Sequence, residues 1–520
     1  MKKIIETISS LEELINNNFL YIDKTKEIYD LFAQGHYYFF ARPRRFGKTL
    51  LISTLEELFK GNRELFKGLW IDSSDYTWEP HAVISFDFST LEVSNPEDLK
   101  KSLIAKITMR AQEHSIDLSA FSLLGDKLEL FIRELAKKNK LVLLVDEYDF
   151  PVISNIHNPV VLKGNLEVLK SFFTLMKGFS KFFRAIFITG VSQIPKASIF
   201  TGLSNLTNIS LEPIAAKLLG YTKEEVENYF SQHIAKLAEQ ENMSYNEVID
   251  KIQQWYNGYR FSEKDIKVYN PFSLHSLFRN NKFNNYWFQS ATPSFLLKIL
   301  KKNEHIILED IGESRASSSA LQSIALEDPQ LVPLLFQTGY LTITGYDYDG
   351  GRNYYTLNYP NHEVRESYSK SLLEALTKKS EEELDTQKDS MRKALLTNNM
   401  EDFCRALISI FASLPYPIEN KTEAAYHQSL CFIMRFVGFS FECEVTTNKG
   451  KIDMVIHTPQ YLYVVELKIN ASANRALNQI ERKGYYELYL SHNKTIVLLG
   501  IAFNKKDNHP TITYATKILP

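Results

Sequence analysis

A basic segment near the N-terminus has the residue types that bind phosphate. It follows an apolar run over residues 37–41 and precedes leucines at helical spacing from Leu50 to Leu58. Strand, tight loop, Gly-Lys-Thr and helix is the order of a phosphate-binding loop, in which backbone N–H groups and the helix N-terminus face the phosphates. We expect Lys48 to reach the β- and γ-phosphates and the Thr49 hydroxyl to hold Mg²⁺. The nucleotide-binding candidates of this segment are Arg42, Pro43, Arg44, Arg45, Phe46, Gly47, Lys48 and Thr49.

One position departs from the usual form of this loop. Arg42 stands where the pattern ordinarily has its first glycine. A Gly-Lys-Thr tripeptide is common by chance, so an ordinary basic turn before a helix is the alternative interpretation. The position between an apolar run and a helical leucine pattern favours nucleotide binding.

Two acidic residues follow a second apolar run. The run Leu141–Val145 predicts a parallel strand that is covered on both faces, and Asp146 and Glu147 come directly after it. We expect Asp146 to orient Mg²⁺ and its water, and Glu147 to polarise the water that attacks the γ-phosphate. A solvated acidic turn at the end of a strand is the alternative.

A further strand is predicted over residues 184–190, and polar residues lie at its end. Such a residue commonly senses the γ-phosphate in ATPases of this kind, and Ser192 and Thr189 are the candidates. The alternation of strands and helices through this region predicts a doubly wound parallel sheet. Ligands of such sheets bind beyond the carboxyl ends of the strands, where all these motifs fall.

The C-terminal region carries a second group of charged residues. Glu466 and Lys468 are two positions apart in an apolar run, so they share one face of a predicted strand. Buried charges are costly unless they are paired or bind a metal, and Asp453 on the preceding strand can complete a Mg²⁺ site with Glu466. We expect Lys468 to position or deprotonate the attacking water. Glu423 and Gln479, on flanking predicted helices, complete this set, for which an edge-strand ion pair is the alternative.

The segments between these two groups are mainly helical in pattern. Capping boxes begin at Thr222 and Ser244, with glutamates three residues later. A helix followed by two strands between Leu331 and Leu357 indicates a small winged-helix-like module. The polar segment 380–390 is expected to be a linker or the start of an exposed helix.

The composition is that of a soluble globular chain too long for one core. The chain has 520 residues, of which 44% are hydrophobic and 23% charged, so several domains are expected. A net charge of -2 gives no global argument for nucleic acid, although a local basic patch could bind it.

Cys404, Cys431 and Cys443 show no metal-binding spacing and are expected to be reduced core residues of a cytoplasmic protein. No apolar run approaches the ~20 residues of a membrane span, and the N-terminus lacks a signal-peptide pattern.

Together these residues resemble a known arrangement. Residues 1 to about 370 are similar to the AAA-ATPase-like family of P-loop proteins, whose phosphate loop reads RPRRFGK followed by Ser or Thr, so Arg42 matches the family. The C-terminal part resembles the PD-(D/E)XK nuclease superfamily, with Asp453, Glu466 and Lys468 on its motif. Further boxes of the ATPase family are present at Tyr21–Thr25 (YIDKT), Asp146–Asp149 (DEYD), Trp255–Tyr259 (WYNGY) and Tyr269–Pro271 (YNP).

The resemblance implies an α/β fold with three domains. These are a P-loop NTPase core with a doubly wound parallel sheet over 1–214, a helical and winged-helix-like lid over 215–379, and a restriction-endonuclease-like nuclease domain over 380–520. It implies ATP and Mg²⁺ as cofactors, with Mn²⁺ as an alternative at the nuclease site. It also implies a bacterial, cytoplasmic protein with DNA as partner, no membrane, and room for a homo-oligomer. The implied metal ligands are Thr49, Asp146, Asp453 and Glu466, and the implied catalytic residues are Glu147, Glu423, Asp453, Glu466, Lys468 and Gln479.

Three functions remain open from the sequence. The first is an ATP-driven nuclease acting on DNA, in which nucleotide binding or hydrolysis gates or positions the cutting domain. The second is a nucleotide switch that uses the nuclease fold to grip nucleic acid without cutting. The third is a structural or signalling ATPase without a nucleic-acid partner. The intact set Asp453, Glu466 and Lys468 favours the first, because a mere binder need not keep all three.

Overall fold

A computed structural model of the chain describes residues 2–5, 8–195, 199–200, 203, 205–287, 314–325, 330–413, 423–506 and 509–519. These residues form two compact units, and the boundary between them falls between Val364 and Arg365. Each unit is built around its own five-stranded β-sheet.

A parallel sheet forms the core of the first unit. Its strands are β1 (Tyr37–Ala41), β2 (Val83–Asp87), β3 (Leu141–Asp146), β4 (Phe183–Gly190) and β5 (Thr207–Asn208). Their order is β2-β3-β4-β1-β5, and the neighbours pair in parallel. All six residues of β3 are buried, as is typical of parallel strands with helices on both faces. The parallel α/β sheet predicted from the sequence is therefore confirmed.

The strand order brings the carboxyl ends of distant segments to one edge of this sheet. Ala41 at the end of β1 pairs with Gly190 at the end of β4. Asp87 at the end of β2 pairs with Asp146 at the end of β3. The loop after β1 and the acidic residues after β3 therefore meet at this edge, where parallel sheets bind their ligands.

Helices with one apolar stripe surround the sheet. The helix that follows β1 buries Leu51, Leu55 and Leu58 at helical spacing, and this stripe packs it against the sheet. The helices in this part are α1 (Leu11–Asn16), α2 (Thr25–Gln34), α3 (Lys48–Phe59), α4 (Pro96–Glu113), α5 (Leu124–Leu135), α6 (Phe150–Ile153) and α7 (Pro159–Gly178).

Further helices and a small antiparallel sheet complete the first unit. The capping boxes predicted at Thr222 and Ser244 are both formed. The helices are α8 (Lys223–Tyr229), α9 (Ser231–Glu241), α10 (Tyr245–Tyr256), α11 (Pro271–Asn280), α12 (Ser318–Leu321) and α13 (Leu331–Thr338), and the strands are β6 (Ser314–Ser317), β7 (Thr342–Asp349) and β8 (Arg352–Asn358). The sheet order is β6-β8-β7. The helix and two strands predicted between Leu331 and Leu357 are thus confirmed, and β6 adds a third strand.

A mixed sheet forms the core of the second unit. Its strands are β9 (Ser440–Thr447), β10 (Gly450–His457), β11 (Tyr461–Ile469), β12 (Thr495–Lys506) and β13 (His509–Ile518). They lie in the order β13-β12-β11-β10-β9, with β11 and β12 parallel and the other pairs antiparallel. The remaining helices are α14 (His362–Thr377), which contains the boundary between the units, α15 (Glu381–Leu396), α16 (Met400–Phe411), α17 (Glu423–Val437) and α18 (Ala473–Lys483).

The polar segment 380–390 begins a helix rather than a linker, because Ser380 caps α15 through a capping box. The division into three domains with boundaries after residues 214 and 379 stays a prediction. Within the part of the chain that the structure describes, no helix is both long and apolar enough to span a bilayer.

Candidate functional site

The predicted phosphate-binding segment turns directly into helix α3. Gly47 has a φ of 94°, a backbone conformation that favours glycine, and the helix begins at the next residue, Lys48. The first turn of a helix has N–H groups without helical partners, and these groups bind phosphate oxygens. The local geometry therefore has the form that the sequence predicts.

Thr49 and Asp146 are in direct contact. The Thr49 hydroxyl donates a hydrogen bond to Asp146 Oδ2 at 2.7 Å, and the Thr189 hydroxyl donates to the other carboxylate oxygen. Burial raises the pKa of Asp146, and these hydrogen bonds oppose that shift. A hydroxyl and a carboxylate are the protein ligands that Mg²⁺ takes in nucleotide sites. The two residues predicted to hold Mg²⁺ here thus lie together.

Lys48 and Glu147 lie side by side near this contact. Lys48 Nζ is 3.6 Å from Glu147 Oε1 and donates to the carbonyls of Arg42 at 3.2 Å and Pro43 at 3.1 Å. Glu147 has a φ of 51°, which is uncommon outside glycine and costs about 1–3 kcal/mol. Its N–H donates to Asp146 Oδ1 at 3.0 Å. Strained backbone of this kind clusters at functional sites.

Tyr148 and Asp149 hold the segment that follows β4 through hydrogen bonds. The Asp149 carboxylate accepts the N–H groups of Ser192 at 2.7 Å and Val191 at 3.3 Å. The Tyr148 hydroxyl donates to the Ser192 carbonyl at 2.8 Å and accepts the Ile194 N–H at 3.0 Å. Burial raises the pKa of Asp149, and the backbone N–H groups oppose the shift. This link between the end of β3 and the predicted sensor segment was missed by sequence reasoning.

Gly190 allows this close packing. A Cβ atom on Gly190 would lie 2.5 Å from Asp149 Oδ1 and 2.6 Å from the Tyr148 ring, too close for any real contact.

Of the two predicted γ-phosphate sensors, Thr189 contacts the Asp146 carboxylate directly. The other, Ser192, is 1% exposed and held through its backbone, so γ-phosphate sensing by Ser192 stays a prediction.

Arg42 occupies the position of the missing glycine because its side chain belongs to the core. The guanidinium lies between the rings of Phe40 at 4.4 Å and Phe261 at 4.2 Å. It donates to the carbonyls of Ser210 at 2.7 Å and Ala215 at 3.0 Å. Burial lowers the pKa of Arg42 to about 9. The Arg42 side chain therefore stabilises the start of the loop through contacts in the core. A contact between Arg42 and nucleotide stays a prediction.

A cleft of about 480 Å³ opens beside the loop. Of the predicted loop residues, those from Arg44 to Thr49 line it, together with Asp146 and Glu147. Apolar side chains, which no motif in the sequence signals, form another part of the lining. They include Leu14, Leu20, Ile22, Ile28, Leu218 and Leu219. The cleft thus combines a charged part and an apolar part, as a nucleotide requires for its phosphates and its base.

Asp453 and Glu466 lie on neighbouring antiparallel strands of the second unit. Met454 on β10 pairs with Val465 on β11, so the next position along this register sets Asp453 opposite Glu466. Residues opposite each other share one face of the sheet. At this position Asp453 Oδ2 accepts the N–H of Leu467 at 2.7 Å. Burial raises the pKa of Asp453, and this hydrogen bond opposes the shift.

The Glu466 carboxylate is buried, and one of its oxygens has no donor. Oε1 accepts from Gln479 Nε2 and from Lys468 Nζ, the latter at 3.1 Å. Among the residues that the structure describes, none donates to Oε2. Burial, reinforced by the negative charge of Asp453, raises the pKa of Glu466 to about 7. An unpaired buried carboxylate oxygen is costly by itself and, beside a second carboxylate, fits a divalent cation such as Mg²⁺ or Mn²⁺.

Lys468 is held by two carboxylates. Its Nζ donates to Glu423 at 3.0 Å, to Glu466 at 3.1 Å and to the Leu467 carbonyl at 2.8 Å. Burial lowers the pKa of Lys468, but the contacts with Glu423 and Glu466 outweigh it and the net shift is upward. The ammonium form is therefore favoured, which suits binding of a phosphate oxygen or a water better than removal of a proton.

Helix α18 carries Gln479 to this site by a close approach to the sheet. A Cβ atom on Gly500 of β12 would lie 2.4 Å from the Ala473 carbonyl and 2.6 Å from the Leu477 nitrogen, so glycine is needed there. Gly500 pairs with Glu466 on β11. The residues predicted for this site, which the structure brings together, are Glu423, Asp453, Glu466, Lys468 and Gln479.

The cysteines differ from the sequence-based expectation. Cys431 and Cys443 form a disulfide, so the expectation of reduced cysteines is wrong for this pair, whereas Cys404 is free and buried. The pair joins α17 to β9, and a separation of 12 residues carries no recognisable spacing. Beside it, His427 Nε2 donates to the Asp453 carbonyl at 2.7 Å.

Comparisons with known proteins find matches in both parts of the chain. Residues 6–200 match a family model described as predicted AAA-ATPase, AAA-ATPase-like. Residues 421–509 match the model of the PD-(D/E)XK nuclease superfamily. A protein of Azotobacter chroococcum mcd 1, described as "Uncharacterized protein in vnfD 5'region", is 31% identical over 525 residues, which cover 99% of this chain and 98% of that protein.

Both resemblances noted in the sequence are thereby confirmed, in the order in which the sequence places them. The similarity to the Azotobacter protein extends through the region between the two matched segments. The chain belongs to the AAA-ATPase-like family and carries a C-terminal domain of the PD-(D/E)XK nuclease superfamily.

Proposed function

We propose that this protein is an ATPase whose nucleotide state controls a metal-dependent nuclease acting on DNA. The observation that carries the proposal is the buried Glu466 Oε2, which lacks a donor among the described residues and lies in a carboxylate pair with Asp453. Native proteins rarely leave a buried carboxylate oxygen unpaired unless a ligand or ion completes it. The match of this region to a nuclease superfamily supports the same interpretation.

The cleft of the first unit has the groups that ATP hydrolysis requires. Thr49 and Asp146 would hold Mg²⁺, which neutralises charge on the phosphates when bound. Lys48 would exchange its bonds to the loop carbonyls for charge-assisted bonds to phosphate oxygens. Glu147 would orient and polarise the attacking water. The apolar lining, including Leu20 and Leu219, would receive the base.

The second unit has the groups that phosphodiester hydrolysis requires. Asp453 and Glu466 would hold Mg²⁺ or Mn²⁺, which when bound polarises the scissile phosphate and activates water. Lys468, as an ammonium, would bind a phosphate oxygen or orient the water. Gln479 fixes the Glu466 carboxylate by its hydrogen bond. Glu423 holds Lys468 in the absence of substrate and would release it to the incoming phosphate.

The proposal is tested with full-length protein and circular or linear DNA, with and without ATP, in Mg²⁺ or Mn²⁺. The expected result is metal-dependent cleavage that ATP modulates. Glu466→Gln should abolish cleavage and keep ATP hydrolysis. Lys48→Ala should keep metal-dependent cleavage and lose both ATP hydrolysis and the effect of ATP on cleavage. Lys483→Ala, a change at the C-terminal end of α18, is a matched control that should leave both activities intact.

A second candidate is a nucleotide switch that grips nucleic acid without cutting it. The observation that favours it is the engagement of Lys468 by both Glu423 and Glu466, which leaves its charge neutralised. ATP-dependent retardation of DNA in a gel, with no cleavage under any metal condition, would support this candidate and overturn the nuclease proposal.

A further inference from the structure

Three soft metal ligands converge between α17 and β9 in the second unit. His427 and Cys431 are four residues apart on α17, so they lie on one face of the helix. Cys443 reaches the same place from β9. A ring nitrogen of His427 and the two Sγ atoms lie within 4.8 Å of one another. The imidazole is half-buried and the Cys431 side chain is buried.

The distance between His427 and Cys431 matches that between two ligands of a tetrahedral metal site. Zinc–thiolate bonds of about 2.3 Å and zinc–imidazole bonds of about 2.0–2.1 Å place neighbouring ligand atoms about 3.4–3.8 Å apart. The distance from His427 Nε2 to Cys431 Sγ is 3.6 Å, within that range. To admit an ion, the bond between Cys431 and Cys443 must also open so that the two sulfur atoms can move apart.

We propose that His427, Cys431 and Cys443 bind Zn²⁺, or a divalent ion of similar softness, when the two cysteines are reduced. A dithiol reductant supplies two electrons and two protons, which break the Sγ–Sγ bond and give two thiols, while the reductant itself becomes a disulfide. On metal binding each thiol releases its proton to water. The disulfide and the metal are therefore alternative occupants of the same two sulfur atoms.

The chemistry of the ligands separates this site from the carboxylate site nearby. Thiolate and imidazole select zinc-like ions, whereas the oxygens of Asp453 and Glu466 suit Mg²⁺ or Mn²⁺. The second unit would thus hold two cations of different class. Three protein ligands leave a fourth position on the zinc for water.

The two sites are connected through one hydrogen bond. His427 Nε2 donates to the backbone carbonyl of Asp453 at 2.7 Å. Metal binding through that nitrogen requires the tautomer in which the imidazole proton lies on Nδ1, and Nε2 then no longer donates to the carbonyl. Zinc binding would therefore remove a hydrogen bond between α17 and the strand that carries Asp453. Only this consequence depends on the proposed nuclease function, whereas zinc binding itself does not.

The test uses full-length protein, reduced or oxidised, incubated with Zn²⁺ in excess Mg²⁺ and freed of unbound metal. Elemental analysis should find about one zinc ion per reduced chain and a much smaller amount on the oxidised chain. Cys431→Ser, Cys443→Ser and His427→Gln should each weaken zinc binding by more than ~10-fold. Cys404→Ser, which removes the third thiol, is the matched control and should bind zinc as the wild type does.

A second measurement needs no variant. In the reduced wild type, zinc should slow alkylation of Cys431 and Cys443, read by mass spectrometry against a chelator-treated sample. Absence of zinc from the reduced chain, or equal alkylation with zinc and with chelator, overturns the proposal. Equal loss of zinc in Cys404→Ser and Cys431→Ser overturns it as well. Because no DNA is present, these outcomes are independent of whether the protein cuts DNA.

Discussion

The Lys48 ammonium lies 3.6 Å from the Glu147 carboxylate. The proposed mechanism needs these two groups at different places around a γ-phosphate, the cation to bind it and the anion to polarise water. Here they partly neutralise each other, and Lys48 also donates to two carbonyls of its own loop. In the proposed mechanism, nucleotide binding would exchange this ion pair for contacts to phosphate, and the exchange would free Glu147.

Substitution of Lys48 tests the nucleotide site. Lys48→Ala removes the charge-assisted bond to phosphate, so ATP binding should weaken by ~2 kcal/mol or more, about 30-fold. Titration with a fluorescent ATP analogue measures the change. Lys60→Ala, at the other end of α3 with a side chain that is 40% exposed, is the control and should bind normally. Unchanged affinity in Lys48→Ala would contradict the assignment of the loop.

Glu147 should matter for turnover rather than for binding. Glu147→Gln keeps the size of the side chain and removes its basicity, so ATP hydrolysis should slow by ~100-fold or more. Affinity for the nucleotide should be kept. Steady-state phosphate release and the same titration separate the two effects, with Glu129→Gln on the exposed face of α5 as control. Hydrolysis at the wild-type rate would place the base elsewhere.

Substitutions of Asp453 and Lys468 in the second unit should have different effects on metal binding. Asp453→Ala removes a metal ligand and should lose Mn²⁺ affinity, whereas Lys468→Ala should keep the metal and lose the cutting step. Each change alone should abolish cleavage, because residues that act as a unit are not additive. Calorimetry with Mn²⁺ and a DNA cleavage assay read the two properties. Normal Mn²⁺ binding by Asp453→Ala would contradict the metal site.

Arg42 should contribute to stability more than to nucleotide contact. Arg42→Met removes the donors to the carbonyls of Ser210 and Ala215, and buried acceptors left unpaired cost about 1–3 kcal/mol each. The variant should therefore unfold at a lower urea concentration than the wild type. If Arg42→Met keeps its stability and loses ATP binding, the side chain contacts the nucleotide after all.

Glu363 should give the stability of the first unit a specific pH dependence. Its buried carboxylate accepts the Ser273 hydroxyl at 2.8 Å and the Trp287 N–H at 2.7 Å, and burial raises its pKa from 4.5 to about 7. Between these values the folded chain binds more protons than the unfolded chain, so stability falls as pH rises, by up to ~3 kcal/mol. Below pH 4.5 both states are protonated, and above pH 7 both are ionised, so the slope vanishes there.

Glu363→Gln should remove this slope, because the amide does not titrate. The variant should therefore be more stable than the wild type at pH 8 and close to it at pH 4.5. Urea unfolding at a series of pH values measures the difference. Parallel curves for the two proteins would show that Glu363 does not titrate in this range.

Much of both candidate sites could be predicted because it depends on local pattern. A helix start after Gly47, an acidic pair after an apolar strand, and two charges on one face of β11 each follow from backbone periodicity. Thr49 and Asp146 could be placed together because the carboxyl ends of parallel strands meet at one edge of the sheet. Glu466 and Lys468 could be paired because strand residues two apart share a face.

The sequence by itself thus determined the two families to which the chain is similar and the residues that are candidates for each site. Only the tertiary structure decided the partners of those residues. Asp149 binds the backbone after β4, Arg42 enters the core instead of the cleft, and Cys431 meets Cys443 across two elements. The physical reason is that these contacts depend on strand order and on how helices pack against the sheets, which bring together residues with no shared local pattern.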